Sequence, residues 1–283
     1  MITPRNRKRK EKTKIKKSIG ILTALLLAGV MTVTSCAKKS GTDNSLEETK
    51  KNGTLVMGLD DSFPPMGFRD KNNEIVGYDV DLAKEVAKRL GVTLKLQPID
   101  WATKEQELNT KKIDCIWNGF TMTKERQEAM AFTKAYLDNA QVVIVKNDST
   151  IQNTNDLNGK LIGVQAGSSA WDAVSADTNL LNSLAGVVEF EENLTALNDL
   201  GIGNIDAVVM DLVVAEYTIK QAGYPYRILA QGLANEEYGV AFRKNDVKLR
   251  DEVQRILEEM EKDGTVASIC NEWFGRNISV IGS

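Results

Sequence analysis

Apolar and polar positions follow each other along the chain in an order that predicts strands alternating with helices. The stretch 54–59 is apolar enough to form a strand, and residues 80, 83, 87 and 90 are spaced like one face of a helix. Gly91 is expected to end that helix, and 92–99 alternates with the period typical of a strand. This order, with short connections, predicts a right-handed βαβ unit with a parallel sheet.

A second α/β series follows a strand predicted at 141–146. Its predicted strands are 161–164, 187–190, 205–210 and 238–242, and its predicted helices begin at 167–169, 193, 211, 246 and 265. The helix at 246–262 is amphipathic, and Asp211 is expected to be the N-cap of the helix that continues to about Gln221. The pattern as a whole predicts an α/β protein built from two units.

The first 35 residues have the pattern of an export signal. A basic run from Arg5 to Lys17 precedes an apolar stretch at 19–33 that is too short for a comfortable membrane span. The stretch Val33-Thr34-Ser35-Cys36 resembles the lipobox of bacterial lipoproteins, in which the cysteine is diacylated and becomes the N-terminus. The alternative is a plain secretory signal in which the cysteine is incidental.

These features predict a signal peptide at 1–35, lipidation at Cys36, and a location on the outer face of the cytoplasmic membrane. Residues 36–53 are polar and lack an apolar period, so a flexible tether is expected there.

Charge and residue types exclude several classes of function. Nine of the 36 basic residues and one of the 39 acidic residues precede Cys36, which leaves a net charge of about −11 in the remainder. That charge argues against binding of nucleic acid. The chain has no histidine, which excludes nucleophiles of the Ser-His or Cys-His type. No metal site or cofactor is predicted, and Cys115 and Cys270 are expected to be buried thiols rather than a disulfide.

The stretch from Asn118 to Arg126 is a candidate anion site. It follows a short apolar strand at 113–117, and Thr123 is expected to be the N-cap of the next helix. Gly119 allows a close backbone approach, and an arginine near exposed amides and hydroxyls can hold an anion. The alternative is an ordinary strand-to-helix turn with a surface arginine.

Two stretches carry a resemblance to a known family. The motif Gly77-Tyr78-Asp79-Val80-Asp81-Leu82-Ala83-Lys84-Glu85-Val86-Ala87-Lys88-Arg89-Leu90 and the closing Asn271-Glu272-Trp273-Phe274-Gly275 resemble bacterial extracellular solute-binding proteins of the polar amino-acid type. The resemblance runs from about Thr54 to Gly275. It implies a type II periplasmic-binding-protein-like fold with lobe 1 at 54–137 and 239–283, lobe 2 at 138–238, and hinge strands near 136–140 and 235–238.

The resemblance also implies roles for individual residues. Arg126, with Thr121 and Ser169, corresponds to the clamp for the ligand α-carboxylate, and Asp211 with the Gly119 carbonyl corresponds to the acceptor of the α-ammonium. The remaining positions implied to surround the ligand side chain are Phe63, Trp101, Asp60, Asn118, Gln165, Ser168 and Met210.

The predicted function is therefore a monomeric receptor that delivers a polar amino acid to the membrane subunits of an ABC importer. The neutral amides of Asn118 and Gln165 favour glutamine or cyst(e)ine, whereas Asp60 and Asp61 leave lysine or arginine open. An exported dehydratase-like enzyme on the same fold is the alternative from another class. The chain is expected not to be an enzyme, because it has no histidine to activate a serine or cysteine nucleophile and no predicted metal site.

Overall fold

Two mixed β-sheets form the framework of the fold, which a computed structural model describes for residues 42–283. These residues form one compact unit. The predicted signal peptide and Cys36 lie outside the described residues.

The first sheet has five strands and defines what we call lobe 1. In spatial order its strands are β5 (Thr93–Pro98), β1 (Thr54–Leu59), β6 (Cys115–Ile116), β14 (Ala241–Arg243) and β7 (Met130–Phe132). Strand β1 pairs in parallel with β5 and β6, which confirms the βαβ unit predicted at the start of the chain. Strand β14 pairs antiparallel with β6 and β7, so the sheet is mixed.

The second sheet has six strands and defines lobe 2. In order these are β10 (Gly186–Phe190), β9 (Leu161–Gln165), β11 (Ala207–Asp211), β8 (Leu137–Lys146) and β12 (Tyr226–Ile228), while β13 (Ala234–Tyr238) also pairs with β8. Strands β10, β9 and β11 are parallel, and β8 is antiparallel to its partners. The carboxyl ends of the parallel strands of each sheet are the places where α/β folds hold ligands.

The chain passes between the two sheets at two neighbouring places. It leaves β7 of lobe 1 and enters the long strand β8 at Leu137, and it returns from β13 at Tyr238 to β14 at Ala241. Leu137 and Tyr238 are paired with each other in the β8–β13 ladder. The prediction of one continuous strand at 238–242 is wrong, because the chain changes sheets at Gly239 and Val240.

Ten α-helices are described in residues 42–283. They are α1 (Ser45–Asn52), α2 (Tyr78–Leu90), α3 (Lys104–Asn109), α4 (Lys124–Ala129), α5 (Ser169–Ala176), α6 (Thr178–Ser183), α7 (Asn193–Ile202), α8 (Leu212–Ala222), α9 (Val247–Lys262) and α10 (Thr265–Phe274). Gly91 ends α2 in the left-handed conformation, as predicted. The amphipathic helix α9 buries the predicted face, which consists of Leu249, Val253, Ile256, Leu257 and Met260. A small antiparallel sheet, β2 (Ser62–Phe63), β3 (Gly67–Arg69) and β4 (Ile75–Val76), lies between β1 and α2 in the chain.

The predicted tether at 36–53 is wrong for its second half, because Ser45–Asn52 form α1. Ser45 and Thr49 are buried, and α1 packs against α9. The Asp43 carboxylate accepts a hydrogen bond from Lys248 N at 2.7 Å, and Ser45 Oγ accepts one from Leu249 N at 3.2 Å. These two side chains cap the first turn of α9 from outside it, a long-range contact that composition alone does not indicate.

Cys115 and Cys270 are buried and free, which confirms the prediction of thiols rather than a disulfide. Within residues 42–283, none of the helices has the length and apolar character required to cross a membrane.

Candidate binding cleft

The loop after β6 approaches both lobes, and Gly119 is the residue that permits this. Its φ of +56° lies in the left-handed region, and a Cβ at this position would lie 3.0 Å from the Phe63 ring and 3.1 Å from the Tyr238 ring. Gly119 N donates a hydrogen bond of 2.6 Å to the Asp79 carboxylate, which also accepts one from Tyr136 OH at 2.9 Å. Burial raises the pKa of Asp79 to about 7. Asp79 therefore fixes the position of this loop from beneath.

Arg126 lies inside the protein, on the short helix α4. Thr123 Oγ1 accepts a hydrogen bond from Arg126 N at 3.2 Å, which confirms the predicted N-cap. The side chain of Arg126 is 8% exposed, which contradicts the alternative of a surface arginine. Its guanidinium stacks on the Phe120 ring at 4.6 Å and donates to two backbone carbonyl oxygens, Thr121 O at 3.1 Å and Gly167 O at 3.3 Å.

The charge of Arg126 is only weakly paired. Among residues 42–283 its closest carboxylate is that of Asp172, 3.7 Å away on a side chain that is 56% exposed. Burial lowers the pKa of Arg126, and the surrounding acids act in the opposite direction. The guanidinium has five N–H donors, of which the two carbonyl bonds use two. A buried cation of this kind is suited to accept an anion.

Lys104, which the sequence analysis did not single out, supplies a second buried cation. It is 4% exposed, and its ammonium donates to Trp101 O at 3.1 Å and to Gly167 O at 2.8 Å. Burial and the nearby charge of Arg126 lower the pKa of Lys104 to about 8. Lys104 and Arg126, both from lobe 1, thus donate to the same carbonyl of lobe 2.

Two predicted clamp residues, Thr121 of lobe 1 and Ser169 of lobe 2, lie in direct contact. Their hydroxyl oxygens share a hydrogen bond of 3.0 Å. The carboxylate of Glu236, on β13, accepts hydrogen bonds from both of them and from Asn139 and Gln141 of β8. The site therefore contains a carboxylate that the sequence analysis did not identify.

Asp211 lies at the end of β11 and is the N-cap residue of α8 by position. Its side chain makes no capping hydrogen bond, so the predicted capping role is wrong. Instead Asp211 Oδ1 accepts from Asn139 Nδ2 at 2.6 Å and from Tyr238 OH at 2.7 Å. Burial, together with the charge of Glu236, raises the pKa of Asp211 to about 7. A ligand cation that contacted it would offset this unfavourable burial of negative charge.

A second polar cluster joins the ends of β1, β6 and β9. Gln165 Nε2 donates to the Asp60 carboxylate at 2.7 Å, across the two lobes, and Asn118 Oδ1 accepts from Asp60 N at 3.0 Å. Burial raises the pKa of Asp60 to about 6. Asp61, the next residue, forms an ion pair with Arg69 at 2.6 Å. The structure thus brings Asp60, Asn118 and Gln165 together.

Three of the predicted positions are engaged in other contacts. Phe63 and Trp101 are buried in different apolar clusters, and Trp101 packs edge-on against Phe120 at 5.6 Å. Ser168 Oγ donates to Gln165 O at 2.7 Å and accepts from Trp171 N at 3.4 Å, which makes it the N-cap of α5. Whether these side chains contact a ligand stays a prediction.

A cleft of about 1310 Å³ opens beside the buried cations. Its lining includes Lys104, Thr121, Arg126, Asn139, Ser169 and Glu236. Two cations, two hydroxyls and an acidic group at the rim of one cleft can hold a small molecule that carries charges of both signs.

The residues that the sequence analysis missed had weak signals. Glu236 is two positions before Tyr238, so the two share a face of β13 once the strand is known to begin at Ala234. Lys104 is three positions after Trp101, the spacing at which helical neighbours meet. Their roles depend on partners in the other lobe, Thr121 for Glu236 and Gly167 for Lys104, which the sequence alone does not place next to them.

Comparison with known proteins identifies relatives over nearly the whole described chain. Residues 55–276 match the family model of bacterial extracellular solute-binding proteins, family 3. The L-cystine-binding protein TcyJ of Escherichia coli (strain K12) is 30% identical over 263 residues, 92% of this chain and 96% of that protein.

Solved structures agree. A substrate binding protein of an ABC uptake transporter from Streptococcus pneumoniae with bound histidine is 36% identical, with a TM-score of 0.82 over 84% of this chain and 99% of that one. Tv2483 bound to L-arginine is 32% identical, with a TM-score of 0.81 over 85% and 98% of the two chains. The predicted two-lobed, type II periplasmic-binding-protein-like fold is confirmed.

Proposed function

This chain belongs to the bacterial extracellular solute-binding proteins, family 3, and we propose that it captures a polar amino acid between its lobes and delivers it to an ABC importer. The observation that carries this proposal is the buried, weakly paired guanidinium of Arg126, which lines the same cleft as Thr121 and Ser169. In the proposed complex, the α-carboxylate of the amino acid takes the free donors of Arg126 and both hydroxyls. A planar guanidinium can hold a carboxylate through two parallel hydrogen bonds.

The α-ammonium is assigned to Asp211. Its carboxylate is buried and accepts hydrogen bonds from two neutral donors, Asn139 and Tyr238. An ammonium beside it would supply the opposite charge that a buried carboxylate requires. Micromolar binding needs about −8 kcal/mol, which is a large amount for a ligand of about ten heavy atoms. Enclosure of both charges between two lobes is the means of reaching it.

The ligand side chain is assigned to the cluster of Asp60, Asn118 and Gln165. An amide next to a carboxylate suits a group that both donates and accepts hydrogen bonds, so we propose glutamine or cyst(e)ine ahead of lysine or arginine. The similarity to the L-cystine-binding protein TcyJ supports cyst(e)ine, whereas the similarity to arginine-bound Tv2483 supports arginine.

We propose that binding closes the lobes about the two crossing segments, with lobe 1 at 54–137 and 239–283 and lobe 2 at 138–238. Cross-lobe hydrogen bonds from Lys104 to Gly167 O and from Gln165 to Asp60 support a closed form. Small-angle scattering is expected to give a smaller radius of gyration with bound amino acid. An unchanged radius, with binding confirmed independently, would contradict closure.

The protein is proposed to act as a monomer held at the outer face of the cytoplasmic membrane by a diacylglyceryl group on Cys36. Two acyl chains are sufficient for stable anchoring. Mass spectrometry of the native protein is expected to find a lipidated Cys36 at the N-terminus, and an unmodified terminus at another residue would refute it.

We propose binding without turnover. TcyJ and the Streptococcus pneumoniae protein are binding proteins, and the acids of the cleft have proposed binding roles that need no reaction. Conversion of a cyclic carboxylic acid by the purified protein would instead support the dehydratase alternative.

The test of the proposed function is a thermal-shift screen of the twenty amino acids and L-cystine. A ligand at 100 times its Kd adds about 2.7 kcal/mol to the free energy of unfolding, enough to raise Tm by roughly 5 to 10 °C in a domain of this size. At least one polar amino acid is expected to give such a shift. No shift with any of them would refute the proposal.

A further inference from the structure

The carboxylate of Glu236 accepts hydrogen bonds from two of the groups that the proposed function assigns to the ligand carboxylate. Its Oε2 atom accepts from Thr121 Oγ1 at 3.0 Å and from Ser169 Oγ at 3.3 Å, the two hydroxyls assigned to the ligand. Gln141 Nε2 at 3.0 Å and Asn139 Nδ2 at 3.2 Å bring to four the polar groups that lie within hydrogen-bonding distance of this oxygen. One carboxylate oxygen thus collects donors from lobe 1, from α5 and from β8.

The hydroxyls cannot serve two carboxylates at once. Each has a single hydrogen, and because Thr121 and Ser169 also bond to each other, one of those hydrogens can be used between them. An arriving α-carboxylate would therefore compete with Glu236 for the same hydrogens. It would also add a second negative charge next to that of Glu236.

The side chain of Glu236 has room to move away from the two hydroxyls. It is half-buried on β13, two residues before the chain crosses to lobe 1, and its side chain borders the cleft of about 1310 Å³. Asn139 Nδ2 donates to both Glu236 and Asp211, so the two hydrogens of one amide nitrogen bridge two carboxylates. Departure of the Glu236 carboxylate would leave Asn139 to Asp211 alone and remove a like charge from it.

We propose that Glu236 is an internal substitute for the ligand carboxylate, which holds Thr121 and Ser169 together in the ligand-free cleft and must be displaced when an amino acid binds. This inference rests on the proposed function. It makes Glu236 a residue that determines affinity, because a fraction of the ligand-free molecules has its anion site occupied. If that fraction is about 90%, the apparent Kd is about tenfold weaker than the intrinsic Kd.

The test uses Glu236→Ala and Glu236→Gln, with Glu237→Gln as the matched control. Glu237 is the next residue on the same strand and is exposed. Each protein is titrated calorimetrically with L-glutamine, L-cystine, L-histidine and L-arginine after denaturation and refolding to remove amino acids carried through purification. Thermal unfolding of each variant verifies that it folds.

Glu236→Ala is expected to bind the amino acid that the wild type prefers about five- to twentyfold more tightly, and Glu236→Gln at least threefold more tightly. Glu237→Gln is expected to stay within twofold of the wild type. Binding by Glu236→Ala that is unchanged within twofold would overturn the proposal. Binding at least tenfold weaker would also overturn it, and would make Glu236 a partner of the ligand ammonium.

Scattering from the ligand-free proteins gives a readout that needs no amino acid. Because Glu236 joins Thr121 of lobe 1 to Ser169 of lobe 2 in a fraction of the ligand-free molecules, ligand-free Glu236→Ala is expected to have a larger radius of gyration than the ligand-free wild type. The radius of the ligand-free wild type is expected to lie between that value and the radius with bound amino acid. Equal radii would overturn the proposal. The wild type could bind none of the amino acids while Glu236→Ala still has the larger ligand-free radius. That result would refute the proposed function, but it would still support the contact by which Glu236 joins the two lobes.

Discussion

Replacement of Arg126 by alanine is expected to abolish binding of every amino acid, whatever its side chain. The guanidinium is buried, lies 4.6 Å from the Phe120 ring, and holds its position through two backbone carbonyls. In the proposed complex its removal leaves a buried carboxylate without its cation, which costs about 3 to 5 kcal/mol. That free energy corresponds to a Kd weaker by roughly two to nearly four orders of magnitude.

Calorimetric titration measures this loss, and two further variants make it specific. Lys124→Ala removes an exposed cation from the same helix and is expected to keep the wild-type Kd. Arg126→Lys keeps the charge but loses the planar fork, so an intermediate loss of about ten- to a hundredfold is expected. Binding by Arg126→Ala within threefold of the wild type, in a protein that still folds, would refute the assignment of the carboxylate clamp.

Other predictions concern the support of the site. Gly119→Ala should lower the free energy of unfolding, measured by chemical denaturation, by about 2 to 4 kcal/mol. The reason is that φ is +56° and that two rings lie 3.0 to 3.1 Å from the new Cβ. A loss under about 1 kcal/mol would contradict this prediction. Asp43→Ala should lower the free energy of unfolding by about 1 to 2 kcal/mol, because the Asp43 carboxylate caps both α1 and α9. Glu48 is exposed, so Glu48→Ala should change it little, and equal effects of the two variants would argue against capping. Asp79 and Asp211 have pKa values raised to about 7, so the folded protein binds more protons than the unfolded chain between about pH 4 and 7. Stability should therefore fall as pH rises through that window, with a higher Tm at pH 5 than at pH 8 and a smaller difference in Asp79→Asn; a Tm that rises over this range would contradict it.

The sequence predicted those parts of the fold that depend on local periodicity and on end signals. The face of α9, the end of α2 at Gly91 and the N-cap at Thr123 follow from contacts within a few residues, and the βαβ unit follows from the order of its elements and their short connections. The helix α1 escaped prediction because its apolar period is weak and its stability comes from α9, about 200 residues away in the chain.

The residues of the candidate site also differ in whether a local sequence pattern could identify them. Arg126 was identified through a short motif and a resemblance, and the structure adds its burial and its cross-lobe contact with Gly167. Glu236 and Lys104 were missed because a charged residue on a short strand or helix usually faces water. Each has a partner in the other lobe, Thr121 for Glu236 and Gly167 for Lys104, and no local pattern shows which lobe surfaces will meet.

A crystal structure of the protein with the amino acid that gives the largest thermal shift would show the proposed binding mode directly. Density for that amino acid is expected between the lobes, with its α-carboxylate on Arg126 and the hydroxyls of Thr121 and Ser169, and its α-ammonium on Asp211. An amino acid bound outside the cleft, or one in the cleft whose carboxylate makes no contact with Arg126, would contradict it.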